Sequence, residues 1–131
     1  MQSQSQSASP RWMFWTGWVI SALPILMMGG LGTFMLVFEP DIIAKSMKDL
    51  GYPANVATAI CAVEIASAVI YAIPQTAVLG AILLTGYLGG AVATHVRAGQ
   101  PPYFPIIFGV LVWLGLYLRD ARVRKLVPFR K

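Results

Sequence analysis

Two long stretches of this sequence carry no charged residue, and they constrain the fold more than any other feature. Trp12 to Phe38 is a run of 27 residues without Asp, Glu, Lys or Arg, and Ala98 to Leu118 is a run of 21. A helix needs about 20 apolar residues to cross the roughly 30 Å hydrocarbon core of a bilayer. Each stretch is therefore predicted to be a membrane-spanning helix.

The segment between these stretches, residues 51–96, contains only one acidic residue, Glu64, and one histidine, His95. At about 1.5 Å per helical residue it is long enough to cross a membrane twice. Pro74 is the predicted corner, because proline disfavours helical geometry at the residue before it. The sequence predicts an all-α protein, a transmembrane four-helix bundle. Its predicted spans are 13–38, 54–73, 75–96 and 103–118.

The overall composition agrees with a membrane protein. Of the 131 residues, 57% are hydrophobic and only 11% are charged, whereas about a quarter of an average soluble domain is charged. A soluble helical bundle with a very apolar core is the alternative, but its helices would need polar faces. A net charge of +5 is suited to contact with anionic lipid, which attracts basic residues. The lipid bilayer is therefore the expected partner, and nucleic acid is not.

Basic residues are divided unequally between the two sides of the predicted spans. Three of them, Lys45, Lys48 and Arg97, fall on one side. Seven fall on the other: Arg11, Arg119, Arg122, Arg124, Lys125, Arg130 and Lys131. Because basic residues are enriched on the cytoplasmic side, both termini are predicted to be cytoplasmic.

This orientation divides the chain into three parts. Residues 1–10 are rich in Gln and Ser and are predicted to be a disordered cytoplasmic tail. Residues 11–118 form the predicted membrane domain, and residues 119–131 form a basic cytoplasmic tail. We expect a multi-pass integral protein of a bacterial inner membrane.

The segment between the first two spans has an amphipathic pattern. Ile43, Met47 and Leu50 share one face at helical spacing, and acidic and lysine side chains occupy the opposite face. Such a pattern favours a short interfacial helix that lies on the membrane surface. An irregular loop with a chance apolar stripe is the alternative.

Glu64 is the eleventh of about twenty residues in the second span, which places it near the middle of the membrane. An ionised carboxylate there is costly, so Glu64 is expected to be protonated, paired, or facing water or a ligand. Ser67 and Tyr71 lie on the same helical face, and Tyr87 and Trp113 of the later spans are expected at a similar depth. These five residues are the candidate ligand-binding site. The alternative is a structural acid that joins two helices.

A second polar group lies at the far end of the third span. Thr94, His95 and Arg97 are expected near the level of Glu39, where His95 and Arg97 would pair with Glu39 or Asp41. These residues form the predicted outer-end polar cluster. No metal or haem is expected, because a single histidine and a single cysteine provide too few ligands.

Small residues repeat every four positions on the third span at Gly86, Gly90 and Thr94, with Gly89 beside them. Small residues let helices approach closely in lipid, so Gly86, Gly89 and Gly90 are predicted to pack the third helix against a neighbour. A ligand-binding role is the alternative. The glycines follow no strand and lack the G-x-G-x-x-G spacing, so a nucleotide loop is excluded.

The segment Leu50 to Pro53, the mid-span Glu64, and above all residues 81–95 (AILLTGYLGGAVATH) resemble the DoxX-like family of small four-span membrane proteins. The resemblance extends over all four spans, and Gly89-Gly90 followed by Thr94-His95 is its most specific part. It implies an association with membrane-bound oxidoreductase systems, since the family is named from a subunit associated with a thiosulfate:quinone oxidoreductase.

Two functions from different classes are consistent with these features. The first is an accessory subunit that binds quinone or a similar apolar molecule for a membrane oxidoreductase. The second is a structural or assembly protein that forms a homo-oligomer or docks a membrane protein partner, without a ligand. Autonomous redox or hydrolytic catalysis is not indicated, because the sequence has no C-x-x-C pair and no recognisable hydrolytic constellation. A bound redox partner is still possible, so the question of enzyme activity stays open.

Overall fold

The structure is a computed structural model that describes residues 10–126. All regular structure in these residues is helical, so the all-α prediction is confirmed. The six helices are α1 (Arg11–Phe38), α2 (Pro40–Asp49), α3 (Ala57–Ala72), α4 (Ala77–Arg97), α5 (Tyr103–Arg119) and α6 (Ala121–Leu126). Short 3₁₀ turns, Ala54–Val56 and Pro74–Thr76, lead into α3 and α4.

The four longest apolar helices end within three residues of the predicted spans. Within residues 10–126, α1 and the 24-residue helical stretch Pro74–Arg97 are long and apolar enough to cross a membrane. Helices α3 and α5 are apolar but have only 16 and 17 residues, fewer than the about 20 that a straight crossing needs. The predicted disordered tail falls almost wholly on residues 1–9, outside the described residues, as do residues 127–131 of the basic tail.

Helix α1 is continuous but changes its geometry in the middle. Pro24 is buried inside the helix, where its ring removes an N–H donor and crowds the preceding turn. The chain responds by widening into a π-helix over Ile25–Leu31 before it returns to α-helix at Gly32–Phe38. The π-helical part packs against α3.

The long helices contact one another in the order α1, α5, α4, α3 and back to α1. Their shared core includes the fully buried side chains of Tyr71, Leu84, Val112 and Leu116. Close packing of these side chains gives the van der Waals contact that holds helices together in lipid.

Close helix contact depends on three buried glycines, Gly17, Gly80 and Gly115. A Cβ atom added to Gly17 would lie 2.6 Å from the backbone nitrogen of Arg119. A Cβ on Gly80 would collide with the backbone of Tyr71. Only glycine fits at these positions, so these residues set the distance between α1 and α5 and between α3 and α4.

The prediction that Gly86, Gly89 and Gly90 pack α4 against a neighbour is wrong within this bundle. Among the described residues, no atom outside α4 lies within 4 Å of a Cβ added at any of the three. The spacing is correct for packing, but Gly86, Gly89 and Gly90 are exposed, whereas the buried residues of the same half of α4, Leu88 and Thr94, occupy other helical positions.

Helix α2 confirms the predicted amphipathic helix between the first two long helices. Ile43, Met47 and Leu50 are half-buried, whereas Lys45 and Lys48 are exposed. Its location at a membrane surface remains a prediction.

Candidate functional site

The structure brings together Glu64 and Tyr87 from the predicted ligand-binding group. The hydroxyl of Tyr87 on α4 donates a hydrogen bond to Oε2 of Glu64 on α3, with 3.0 Å between the oxygens. Both side chains are half-buried. They line a small cavity of about 200 Å³, which we call the Glu64 cavity, together with apolar residues of α1, α4 and α5 that include Met28, Leu88 and Phe108.

Ser67 and Tyr71 do not join this cavity. Ser67 is buried and donates to the carbonyl oxygen of Val63 in its own helix. Tyr71 is fully buried two turns further along α3 and donates to the carbonyl oxygen of Val112 at 2.7 Å. Because this bond uses the only hydroxyl hydrogen of Tyr71, the 2.9 Å contact with Ser21 must be donated by Ser21. Tyr71 therefore joins three helices as a structural residue.

Trp113 is also separate from Glu64. Its indole Nε1 donates to the hydroxyl of Thr85 at 2.7 Å, and it is not among the residues lining the Glu64 cavity. Counting residues along α5 predicts the depth of Trp113 but not the side of the helix from which its side chain projects. The predicted five-residue group is thus divided into a Glu64–Tyr87 pair and three residues with other contacts.

A larger cavity of about 360 Å³ opens between α2, the start of α3 and the second half of α4. We call it the glycine-lined cavity, because Gly86 and Gly90 form part of its wall. The residues that line it are Met47, Leu50, Tyr52, Ile60, Gly86, Tyr87, Gly90, Ala91, Thr94 and His95. Tyr87 and Ala91 also line the Glu64 cavity, so they separate the two.

The hydroxyl groups of the glycine-lined cavity form a directed chain. Thr94 donates to the carbonyl oxygen of Gly90 at 2.8 Å, so its hydrogen is already used. The 2.8 Å contact between Tyr52 and Thr94 is consequently donated by Tyr52. Tyr87 likewise uses its hydrogen on Glu64. In this arrangement, the tyrosine oxygens have free lone pairs but no spare hydrogen.

His95 adds another acceptor to this cavity. Its Nδ1 lies 2.7 Å from the carbonyl oxygen of Ala91, one turn earlier in α4. A carbonyl oxygen can only accept, so Nδ1 carries the hydrogen. In the neutral ring, Nε2 is then a hydrogen-bond acceptor.

The backbone turn after α2 positions Tyr52. Gly51 has a φ of +85°, a left-handed conformation that glycine adopts without strain. The N–H of Tyr52 bonds to the carbonyl of Met47 and the N–H of Gly51 to that of Lys48, which is the Schellman pattern at a helix end. This turn reverses the chain so that Tyr52 reaches Thr94.

The structure brings together only some residues of the predicted outer-end polar cluster. Thr94 and His95 share the glycine-lined cavity, and the Arg97 guanidinium lies 5.9 Å from the centre of the Tyr52 ring. Glu39 is exposed at the corner between α1 and α2, and within residues 10–126 no ion pair joins it to His95 or Arg97. The predicted pairing of His95 and Arg97 with Glu39 or Asp41 is not formed among the described residues.

Sequence reasoning missed Tyr52 as a cavity residue. Its position depends on the turn at Gly51 and on α2 folding back toward α4, which are tertiary features. A glycine directly after an amphipathic helix, followed by Tyr, was the available signal. Within residues 10–126, no group of three or more His, Cys, Asp or Glu side chains could hold a metal ion.

Comparison with known proteins identifies the family of this chain. The model of the DoxX-like family matches residues 19–115, which is 97 of the 131 residues and includes every residue that lines the glycine-lined cavity. No curated protein and no solved structure matches the chain. The family is membrane-associated, in keeping with the two helices long and apolar enough to cross a bilayer. The chain belongs to the DoxX-like family.

Proposed function

We propose that this DoxX-like protein is a four-span membrane protein that binds a quinone-type molecule in the glycine-lined cavity as an accessory subunit of a membrane oxidoreductase system. Both termini then lie in the cytoplasm, as the bias in basic residues predicts. Helices α3 and α5 cross the membrane with the help of their flanking turns and local thinning of the bilayer, which costs a fraction of a kcal/mol per ångström of mismatch.

The observation that carries the proposal is the open glycine surface beside the polar groups of the cavity. Gly86 and Gly90 face no atom outside their helix within 4 Å in the described part of the chain, and they adjoin Tyr52, Tyr87 and His95. A volume of about 360 Å³ falls in the usual range of small-molecule sites, which are mostly apolar with a few converging polar groups. A flat ring against the glycines, with its oxygens toward the tyrosines and His95, fits this environment.

The directions of the hydrogen bonds favour the reduced form of such a ligand. The tyrosine oxygens and Nε2 of neutral His95 accept hydrogen bonds, and the hydroxyl hydrogens are already committed within the protein. A quinol has two O–H donors, whereas a quinone has only acceptors. We therefore expect a short-chain quinol to raise the melting temperature more than the matching quinone, measured anaerobically in mild detergent.

Glu64 positions Tyr87, which lines the glycine-lined cavity, by accepting its hydrogen bond. We propose that Glu64 is a neutral acid, since a carboxylate held by a single hydrogen bond in lipid is costly. Glu64→Gln retains an acceptor for Tyr87 and should retain the ligand, whereas Glu64→Ala should release Tyr87 and lose the ligand. Infrared spectroscopy should show a protonated carboxyl band in the native protein that is missing in both variants. Ligand retention in Glu64→Ala would contradict this role.

The experiment that tests the function uses two neighbouring glycines. Gly90→Leu fills the glycine-lined cavity, and Gly89→Leu adds the same side chain one residue away, outside the cavity lining. Each protein is purified from native membranes in mild detergent, and the small molecules that accompany it are identified by mass spectrometry. We expect a quinone-type molecule with the native protein and with Gly89→Leu, and its loss from Gly90→Leu. Equal retention by both variants would refute the site.

The second candidate is the assembly role without a ligand. The feature that favours it is the exposure of Gly86, Gly89 and Gly90 together on α4, which leaves room for a helix of another copy or of a partner. In that case Gly89→Leu and Gly90→Leu would both dissociate a stable oligomer, and no small molecule would be found with the native protein.

A further inference from the structure

A basic pocket lies at the opposite end of the bundle from the glycine-lined cavity. It has a volume of about 460 Å³ and is formed by the start of α1 and the junction of α5 with α6. Three of the residues lining it are arginines, Arg11, Arg119 and Arg124, and no carboxylate is found among its described lining residues. We call it the arginine pocket.

Arg119 is held firmly at this pocket. Its guanidinium carbon lies 4.2 Å from the centre of the Trp18 ring and 4.7 Å from that of Tyr71. Nη2 donates to the carbonyl oxygen of Tyr71 at 3.0 Å. Within the described residues Nε is buried and has no hydrogen-bond acceptor, a costly state for a donor. Arg119 is thus a fixed cation with unused hydrogen-bonding capacity.

Hydrogen bonds also position the second arginine of this corner. Arg124 donates from Nη1 to the carbonyl oxygens of Tyr117 and Leu118. Asp120, the nearest acid in the sequence, instead forms an ion pair with Arg122 at 3.1 Å. The carboxylate at this corner is therefore engaged outside the arginine pocket.

We propose that the arginine pocket binds the phosphate of an anionic phospholipid. Guanidinium groups bind phosphate oxygens through paired hydrogen bonds, and basic residues next to a membrane helix attract anionic lipid. Phe14 and Trp15 also line the pocket, and 44% of the surface of Phe14 and 65% of that of Trp15 are exposed. Aromatic side chains of this kind are typical of the membrane interface, where a headgroup meets its acyl chains. This site is independent of the ligand proposed above.

Native mass spectrometry of the full chain in a neutral detergent can test the proposal. Dioctanoyl-phosphatidylglycerol should bind with one-to-one stoichiometry, and dioctanoyl-phosphatidylcholine should bind much more weakly. Arg11→Gln should weaken the phosphatidylglycerol complex about fivefold, the effect of one basic residue at an anionic surface. Arg11 is exposed, so its replacement should leave the melting temperature unchanged, and Arg11→Lys should restore part of the affinity.

Lys125→Gln is the matched control, because Lys125 is exposed on α6 but does not line the pocket. It should change phosphatidylglycerol binding little. An equal loss of phosphatidylglycerol affinity in Lys125→Gln and Arg11→Gln would show that the lipid is attracted to the whole basic end of the protein. This result would overturn the proposed site. Inorganic phosphate should not displace the lipid at equal concentration. If it binds as tightly as phosphatidylglycerol, the ligand is a soluble phosphate and the lipid assignment is wrong.

Discussion

The two ends of helix α4 show opposite uses of glycine. Gly80, near its start, is pressed against the backbone of Tyr71, whereas Gly86 and Gly90 face open space within the described structure. We call the first region the closed end, where α1 and α4 begin and α3 and α5 finish, and the region around the glycine-lined cavity the open end. The glycine at the closed end fixes the distance between helices, and the glycines at the open end form the wall of the glycine-lined cavity.

This difference shows that a small residue in a membrane helix has no fixed meaning. The absence of a side chain permits close contact where a neighbouring backbone is near. It leaves a cavity where no neighbouring backbone is near. The partner surface decides, and at the closed end that surface is built by Tyr71, Gly17 and Gly115. The contrast also predicts where substitutions destabilise the bundle and where they do not.

Gly80→Ala should have the largest effect on stability. Its methyl group would overlap the backbone of Tyr71. Overpacking costs about 1–3 kcal/mol, and we expect the upper end of this range because the neighbouring atoms belong to backbone. Gly89→Ala, in the same helix but facing no atom outside it, should instead stabilise by roughly 0.5–1 kcal/mol through helix propensity. Unfolding by SDS in mixed micelles measures both. Similar stabilities for the two variants would remove the distinction between the ends.

Tyr71→Phe should have the next largest effect. It deletes the hydroxyl that joins Ser21 and Val112 in the closed end, and an unsatisfied buried polar group costs about 1–3 kcal/mol. Tyr52→Phe removes a part-buried hydroxyl at the open end whose partner, Thr94, keeps its bond to Gly90. The same unfolding measurement should give a smaller loss for Tyr52→Phe. A larger loss at Tyr52 would invert the comparison.

Gly51→Ala tests the turn that forms the open end. Alanine at a φ of +85° should cost about 1 kcal/mol of stability. Because the turn also positions Tyr52 against Thr94, the variant should bind quinol more weakly than the native protein. Gly109→Ala serves as a control. Gly109 does not have a positive φ, and a Cβ added there would lie 4.0 Å from the nearest atom, Cδ1 of Leu88. Unchanged quinol binding in Gly51→Ala would show that the turn does not build the cavity.

The smallest predicted effect is on the pH dependence of stability, through Asp120 at the closed end. Burial alone would raise the pKa of Asp120, but the hydrogen bonds and charge of Arg122 together lower it. Because the pKa of Asp120 is lowered in the folded state, Asp120 stabilises the protein fully at pH values above its ordinary pKa of 3.8. This contribution is lost as the pH falls through the lowered folded pKa. Melting curves from pH 6 to about pH 3 should show a small additional decline that Asp120→Asn lacks.

The helices and the Glu64–Tyr87 contact could be predicted from sequence, because each depends on properties that run along the chain. Charge-free length predicts helices, and counting residues at 1.5 Å each predicts which of them share a depth. The same count could not tell which side of α5 carries Trp113. It also could not distinguish Gly80 from Gly90. Rotation of a helix about its axis and the identity of its neighbours are set by packing of the whole bundle.

The most direct test of the contrast between the ends is the change in melting temperature that a short-chain quinol produces in Gly90→Leu and Gly89→Leu. Ligand that binds the folded state raises the melting temperature. We expect a clear rise for the native protein and for Gly89→Leu, and no rise for Gly90→Leu, although both variants fold. A rise of equal size in Gly90→Leu, or no rise in any of the three proteins, would contradict the claim that the open end is a binding site.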